Sequence, residues 1–164
     1  MMNKTEVSLN ELKLVGIFVR TSNKAEMDPN LAKIPGNFNR YFSNGLFDKI
    51  LNRKSPFVTY SVYTEYESNE FGEYTHFIGE EVLSFEAQDL SLFKTLTVPE
   101  NKYTKFTTNK GEMPKIVIET WQKIWQMNEI EMQGKRNYIA DFEIYDQRAI
   151  DPQNAEVDIY IGKK

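Results

Sequence analysis

IPGNFNRYFSNGL (residues 34–46) and MPKIVIETWQKIW (residues 113–125) are two versions of one pattern. Each opens with an apolar residue and a proline. Each then sets bulky side chains at helical spacing: Phe38, Phe42 and Leu46 in the first, Val117, Trp121 and Trp125 in the second. The step from 38 to 117, from 42 to 121 and from 46 to 125 is 79 each time, as is the step from Tyr66 to Tyr145 downstream. Proline in the first turn of a helix forfeits no hydrogen bond, and the apolar stripe predicts a face packed on a sheet. A strand-like run follows each helix, Phe57 to Ser68 in the first case and Arg136 to Gln147 in the second. A period of roughly 80 residues seen twice points to a duplication, since solenoid repeats run nearer 20–50. Two such units about a pseudo-twofold axis leave a cleft where they meet, a favoured place for a ligand.

The rest of the chain fits this plan. Leu12 to Arg20 is rich in Val, Ile and Phe and predicts a first strand, followed by a loop rich in Asn, Asp and Pro from Ser22 to Ala32. Asn69-Glu70-Phe71-Gly72 predicts a hairpin connection, with Tyr74 to Leu83 as the returning strand. Leu92 to Val98 and Tyr103 to Thr108 read as strands hinged at Pro99, and Tyr138 to Tyr145 and Ala155 to Ile161 as a last hairpin. Met127 to Lys135 reads as a polar linker. The expectation is an α+β fold of two β-α-β-β units, approximately residues 9–83 and 92–162, with an antiparallel-rich sheet and two helices on one face. The length of 164 residues suits one domain spanning the chain, able to bury about two-thirds of its unfolded surface.

Composition narrows the chemistry. With no cysteine there is no disulfide, thiolate nucleophile or cysteine zinc site, and one histidine makes a transition-metal centre a poor fit. No Gly-x-Ser-x-Gly elbow or glycine-rich phosphate loop is present. His76, within a strand beside Phe77, reads as a packing or hydrogen-bonding residue rather than a catalyst. The net charge is −4, from 24 acidic and 20 basic residues, with no basic stripe, which argues against direct nucleic-acid binding. The start lacks the apolar run of a signal peptide, and nothing approaches the roughly 20 apolar residues of a membrane span, so a cytoplasmic protein is expected. No cofactor is expected. Carboxylate acid–base chemistry stays open. The unusual feature is aromatic content, 11 Phe, 9 Tyr and 2 Trp. Most must build the core, but tyrosine combines a flat apolar face with a polar edge and suits a pocket for a flat organic ligand.

Alternation in the last hairpin separates Tyr138, Ala140, Phe142 and Ile144 from Ile139, Asp141, Glu143 and Tyr145. It likewise separates Ala155, Val157, Ile159 and Ile161 from Glu156, Asp158 and Tyr160. The apolar sets are expected under the helices, which would gather four carboxylates and two tyrosines on the opposite face. By the repeat, Thr64 and Tyr66 match Glu143 and Tyr145. Such a face is either a solvated surface with ordinary ion pairs or a bed for a cationic, flat molecule held by charge and cation–π contacts. Of the two tryptophans, Trp121 is the better placed for a cleft edge.

VYTEYESNEFGEYTHFIGEEV (residues 62–82), ETWQKIWQ (119–126), ADFEIYD (140–146) and DPQNAEVDIYIG (151–162) together resemble the GyrI-like effector-binding domain, the ligand-sensing module of AraC-type and related multidrug-responsive bacterial regulators. The resemblance covers nearly the whole chain and implies the duplicated architecture with a cavity between the halves. It also implies an acidic residue in the sheet that meets cationic, lipophilic compounds. Glu143 in DFEIY is the best match and Glu156 in AEVDIYI the second, with Tyr63, Tyr66, Tyr145 and Trp121 as aromatic candidates. No helix-turn-helix domain fits in this length, so the chain resembles stand-alone members. Three functions follow from the resemblance: binding of amphipathic, cationic small molecules for sensing or sequestration; hydrolysis of strained cyclopropane toxins with Glu143 as general base; or regulation through a protein partner such as gyrase or a separate DNA-binding subunit.

Overall fold

The computed structural model describes residues 2–164. Its strands are β1 (Asn3–Leu9), β2 (Leu12–Ser22), β3 (Thr59–Thr64), β4 (Glu73–Glu81), β5 (Lys94–Val98), β6 (Asn101–Thr107), β7 (Arg136–Tyr145) and β8 (Asp158–Lys163). The helices are α1 (Asn23–Glu26), α2 (Ile34–Ser43) and α3 (Lys115–Trp125). The eight strands form one sheet in the order β1-β6-β8-β7-β3-β4-β2-β5, with every pairing antiparallel. The order maps onto itself when β1–β4 are exchanged with β5–β8, so the α+β duplication expected from the repeat is present. The seam is the central β3–β7 pair. The opening strand of each half pairs across the divide: β1 lies on β6, and β5 on β2.

Three differences from expectation have physical causes. β1 went unforeseen because Asn3-Lys4-Thr5-Glu6-Val7-Ser8-Leu9 is a mostly exposed edge strand without a continuous apolar face. The strand expected over Phe57 to Ser68 is only Thr59–Thr64, because Phe57 and Glu65 adopt positive φ (73° and 50°) and turn the chain out of the ladder. The supposed linker from Met127 contributes to the core through Met132, which is buried beneath α3.

Helix burial refines the repeat. α2 buries Asn37 and Tyr41, and α3 buries Val117 and Trp121, so the packed positions match at a step of 80 rather than 79. The strands agree: Tyr63 and Glu143 stand on the same face, 80 residues apart. Thr64 pairs with Ala140 and belongs to the other face.

Pairing also settles which face is which. One row across the sheet runs Phe106, Ile159, Glu143, Ser61, Ile78, Ile17. The next runs Thr104, Ile161, Asp141, Tyr63, His76, Val19. These rows lie under the helices: Ile17 and Ile78 pack with Tyr41 and Leu46, and Phe106, Ile159 and Ile161 pack with Val117, Trp121 and Ile124. The reverse face carries a separate aromatic core of Tyr60, Phe77, Tyr103, Phe142 and Tyr160, with Phe142 stacked on Tyr160 at 4.7 Å. Thus Ile144 pairs with Asp158, and the expected gathering of Glu143, Tyr145, Glu156, Asp158 and Tyr160 on one face does not occur. Alternation holds from Ala140 onward but not at Tyr138, and the β7 set of Ala140, Phe142 and Ile144 lies on the reverse face rather than under the helices, because a one-residue change of phase between β7 and β8 flips a strand's entire side-chain set.

At Gly16 and Gly79 the backbones of β2 and β4 are directly paired. A Cβ on Gly79 would stand 2.1 Å from the Val15 carbonyl oxygen, so only glycine permits this approach.

Candidate functional site

A cavity of about 620 Å³ opens over the seam, between α2 and α3. Its floor is Tyr63 from β3, Tyr74 from β4 and Glu143 and Tyr145 from β7. Phe38 of α2 forms one wall, and Val117, Trp121 and Trp125 of α3 the other. Asn23, Glu26 and Met27, together with Tyr66, Glu70 and Arg136, also line it. The size lies within the usual 300–1,000 Å³ for small-molecule sites.

Glu26 has a structural duty there. The position before α2 is Lys33, which offers no side-chain cap. The Glu26 carboxylate instead accepts from the Lys33 and Ile34 backbone N–H groups, at 2.8 and 3.1 Å, and from the Thr21 hydroxyl. It is therefore committed to holding the helix start.

Glu143 is 2% exposed at the centre of the floor. Its Oε2 accepts from Tyr63 Oη at 2.9 Å and Trp121 Nε1 at 2.6 Å, and its Oε1 from Tyr145 Oη at 2.5 Å. Burial pushes its pKa up, while the bonds from Tyr145, Trp121, Tyr63 and Ser61 hold the rise back. All four are neutral donors. Tyr63 and Tyr145 are themselves held well above the usual phenol range, by burial first and the Glu143 charge second, so they remain O–H donors. The rings pack edge to face, Tyr63 on Trp121 at 5.3 Å and Phe38 on Tyr145 at 6.1 Å.

Behind the carboxylate a polar chain runs inward from the exposed Arg40. Arg40 Nη2 donates to Asn37 Oδ1 at 2.9 Å, and Asn37 Nδ2 lies 3.1 Å from His76 Nδ1. Because an amide N–H can only donate, Nδ1 accepts, and the ring proton sits on Nε2, 2.8 Å from Ser61 Oγ. Ser61 is thus free to donate its own proton to Glu143, its neighbour across the β3–β7 pair. Desolvation lowers the His76 pKa to about 3, so the ring is neutral.

Of the six residues singled out from sequence, Glu143, Tyr145, Tyr63, Tyr66 and Trp121 line the cavity. Glu156 does not. It precedes β8 and faces Arg148 at 3.8 Å, within a cluster where Arg148 also binds Asp146 and Asp158. Sequence reasoning missed Arg136, Glu70, Phe38, Tyr74 and Ser61. Ser61 was accessible in principle, since it shares alternation with Tyr63, but only the β3–β7 register brings it to Glu143. Among the described residues no group of three or more His, Asp or Glu side chains is arranged to hold a metal ion, and no helix is long and apolar enough to cross a membrane.

A cavity with an enclosed acid on its floor, set on the seam of a duplicated antiparallel sheet, defines a ligand-receptor domain. Residues 7–162 match the family described as integron-associated effector binding protein, and the chain belongs to that family. YobU of Bacillus subtilis (strain 168), whose name proposes a transcriptional regulator, is 30% identical over 155 residues, covering 93% of this chain and 92% of YobU. The integron cassette protein VCH_CASS2 from the mobile metagenome of Vibrio cholerae superposes with a TM-score of 0.76 at 28% identity, covering 98% of this chain and 95% of that one. SAV2435, solved bound to tetraphenylphosphonium, superposes with a TM-score of 0.78 at 18% identity, covering 99% and 94%, and shares the fold. The protein is thus an effector-binding domain related to transcription regulators, in agreement with the GyrI-like resemblance read from the sequence.

Proposed function

We propose that this chain is a receptor for lipophilic organic cations, with Glu143 as their counter-charge. The observation that carries the proposal is an enclosed carboxylate ringed by aromatic side chains and supported only by neutral donors. Such a group lacks a positive partner, and burial makes that lack costly. A cation entering the cavity supplies it, while Tyr63, Tyr145 and Trp121 add cation–π attraction of about 0.5–2 kcal/mol each.

The bonding of Glu143 also selects among cations. A carboxylate offers about four lone-pair sites, and Tyr63, Trp121 and Tyr145 take three of them, engaging both oxygens. A primary ammonium, with three N–H groups to satisfy, finds about one lone pair left. A quaternary or delocalised cation needs only the field and the ring faces, and is favoured. The same crowding weighs against the hydrolase reading, because a general base needs a lone pair directed at the attacking water. The tetraphenylphosphonium bound by SAV2435, a protein of the same fold, is a cation of the favoured type.

Calorimetric titration with tetraphenylphosphonium tests the reading. The wild-type chain is expected to bind, and Glu143→Gln to lose tenfold or more in affinity, about 1.4 kcal/mol. Equal affinity for both forms removes Glu143 from the site.

A further inference from the structure

We propose that the cavity contains a second recognition point, formed by Arg136 and Glu70, which takes a neutral donor–acceptor group such as a carboxamide on the ligand whose cationic centre lies at Glu143. The inference rests on the cation-receptor reading and extends it to the other end of the ligand.

Arg136 and Glu70 come from different elements, the start of β7 and the β3–β4 turn, and both line the cavity. Tyr138 joins them. Its hydroxyl donates to the Glu70 carboxylate, and its ring lies 4.4 Å beneath the Arg136 guanidinium. Tyr138 reaches this position because its backbone adopts a positive φ of 53°, a conformation costly for a bulky residue and held here by its surroundings.

The donor capacity of Arg136 is only partly used. Among the described residues its guanidinium makes one hydrogen bond, from Nη2 to Asp141 at 2.7 Å, and its Nε is buried without a partner. Asp141 is fully buried and is completed by Tyr66 Oη at 2.6 Å and the Gly162 backbone N–H at 2.8 Å. The positive charge is therefore already balanced, and what remains is a surplus of N–H groups. A second anion would overcompensate the pair, whereas a neutral carbonyl oxygen suits it. Beside it, Glu70 stays ionised, because the Tyr138 bond and the Arg136 charge outweigh the upward push of its partial burial. It is an acceptor next to a donor, complementary to the C=O and N–H of one amide group. The Arg136–Asp141 ion pair alone would account for neither Glu70 nor Tyr138.

Spacing links the two points. Asp141 and Glu143 share a strand face two residues apart, roughly 7 Å between Cα atoms. A spacing of this order suits a ligand that carries its cationic centre and its amide on one aromatic ring.

The test compares tetraphenylphosphonium with (4-carbamoylphenyl)triphenylphosphonium by calorimetry on the full chain. The carbamoyl compound is expected to bind the wild type at least tenfold more tightly. In Glu70→Ala, and in the double variant Arg136→Met with Asp141→Asn, the ratio of the two affinities is expected to fall below twofold, whatever the change in affinity for the plain cation. The double variant removes both members of the ion pair and leaves no buried charge unmatched, and thermal unfolding checks that each variant folds. Wild type that binds both cations equally, or an advantage that survives both variants, overturns the second point and leaves the cation reading standing. Binding of neither compound overturns both.

Discussion

Lowering the pH from 8 to 5 should weaken the fold through His76, the chain's single histidine. Its ring is fully enclosed between Phe38 and Tyr63, with both nitrogens engaged by Asn37 and Ser61, and its pKa is lowered to about 3. In the unfolded chain a histidine titrates near 6.5. The sign follows from linkage: below about 6.5 the unfolded state binds a proton that the native state refuses, so stability falls with pH until both states are protonated near 3. Between pH 8 and 5 this amounts to about 2 kcal/mol, and by pH 4 to about 3 kcal/mol. Glu143 and Glu80 work in the opposite direction, because burial raises both and their native forms retain protons as pH falls. The measurement is therefore a difference between urea unfolding of the wild type and of His76→Gln, at pH 8 and pH 5. The glutamate contributions are common to both proteins and cancel. The wild type should lose about 2 kcal/mol more than the variant, a further midpoint shift of roughly 0.7–2 M urea. Parallel curves for the two proteins would refute the claim that His76 is held neutral by its enclosure, whatever the absolute stability of the variant.

Two further outcomes follow from the same geometry. Affinity for a permanently charged cation should rise with pH through the elevated pKa of Glu143 and then level off, with proton release visible as buffer-dependent heat, while Glu143→Gln gives a flat profile. Tyr63, Tyr145 and His76 stay neutral throughout that window, so a flat wild-type profile from pH 4.5 to 7.5 would show that Glu143 is already ionised in the empty cavity. Gly79→Ala should cost about 2 kcal/mol or more, and roughly 4–8 °C in Tm, because its Cβ meets the Val15 carbonyl; a variant melting within 1 °C of wild type would contradict the close approach.

Much of the architecture was legible because it rests on local pattern. Proline at the helix starts, bulky residues at helical spacing and the doubled order of elements are properties of short windows. Glu143 was legible through the family resemblance, as the acid of DFEIY, on a strand face that it shares with Tyr145. The errors arose where one strand's phase depends on another. Glu156 was placed beside Glu143 because alternation fixes the relation of faces within a strand but not between strands, and pairing set Glu143 against Ile159. Arg136 and Glu70 escaped for a different reason. Positive φ at Glu65 and Tyr138, and the shifted register between Arg136 and Asp141, carry these side chains out of simple alternation. No period in the sequence encodes that.

The exchange of opening strands bears on how the cavity can admit ligands of different size. With β1 bonded to β6 and β5 to β2, each half has its outer rim supplied by chain belonging to the other. Parting the halves like jaws at the β3–β7 seam would strain two additional ladders far from the opening. The floor is consequently a fixed template, with the Glu143 charge at a set depth. The parts of the lining above that floor are Asn23, Met27 and Ala32, Glu70 in the β3–β4 turn, and the Trp125 ring at the end of α3. On the cation-receptor proposal, such a floor tolerates variety in a guest's outline far better than variety in where its charge lies.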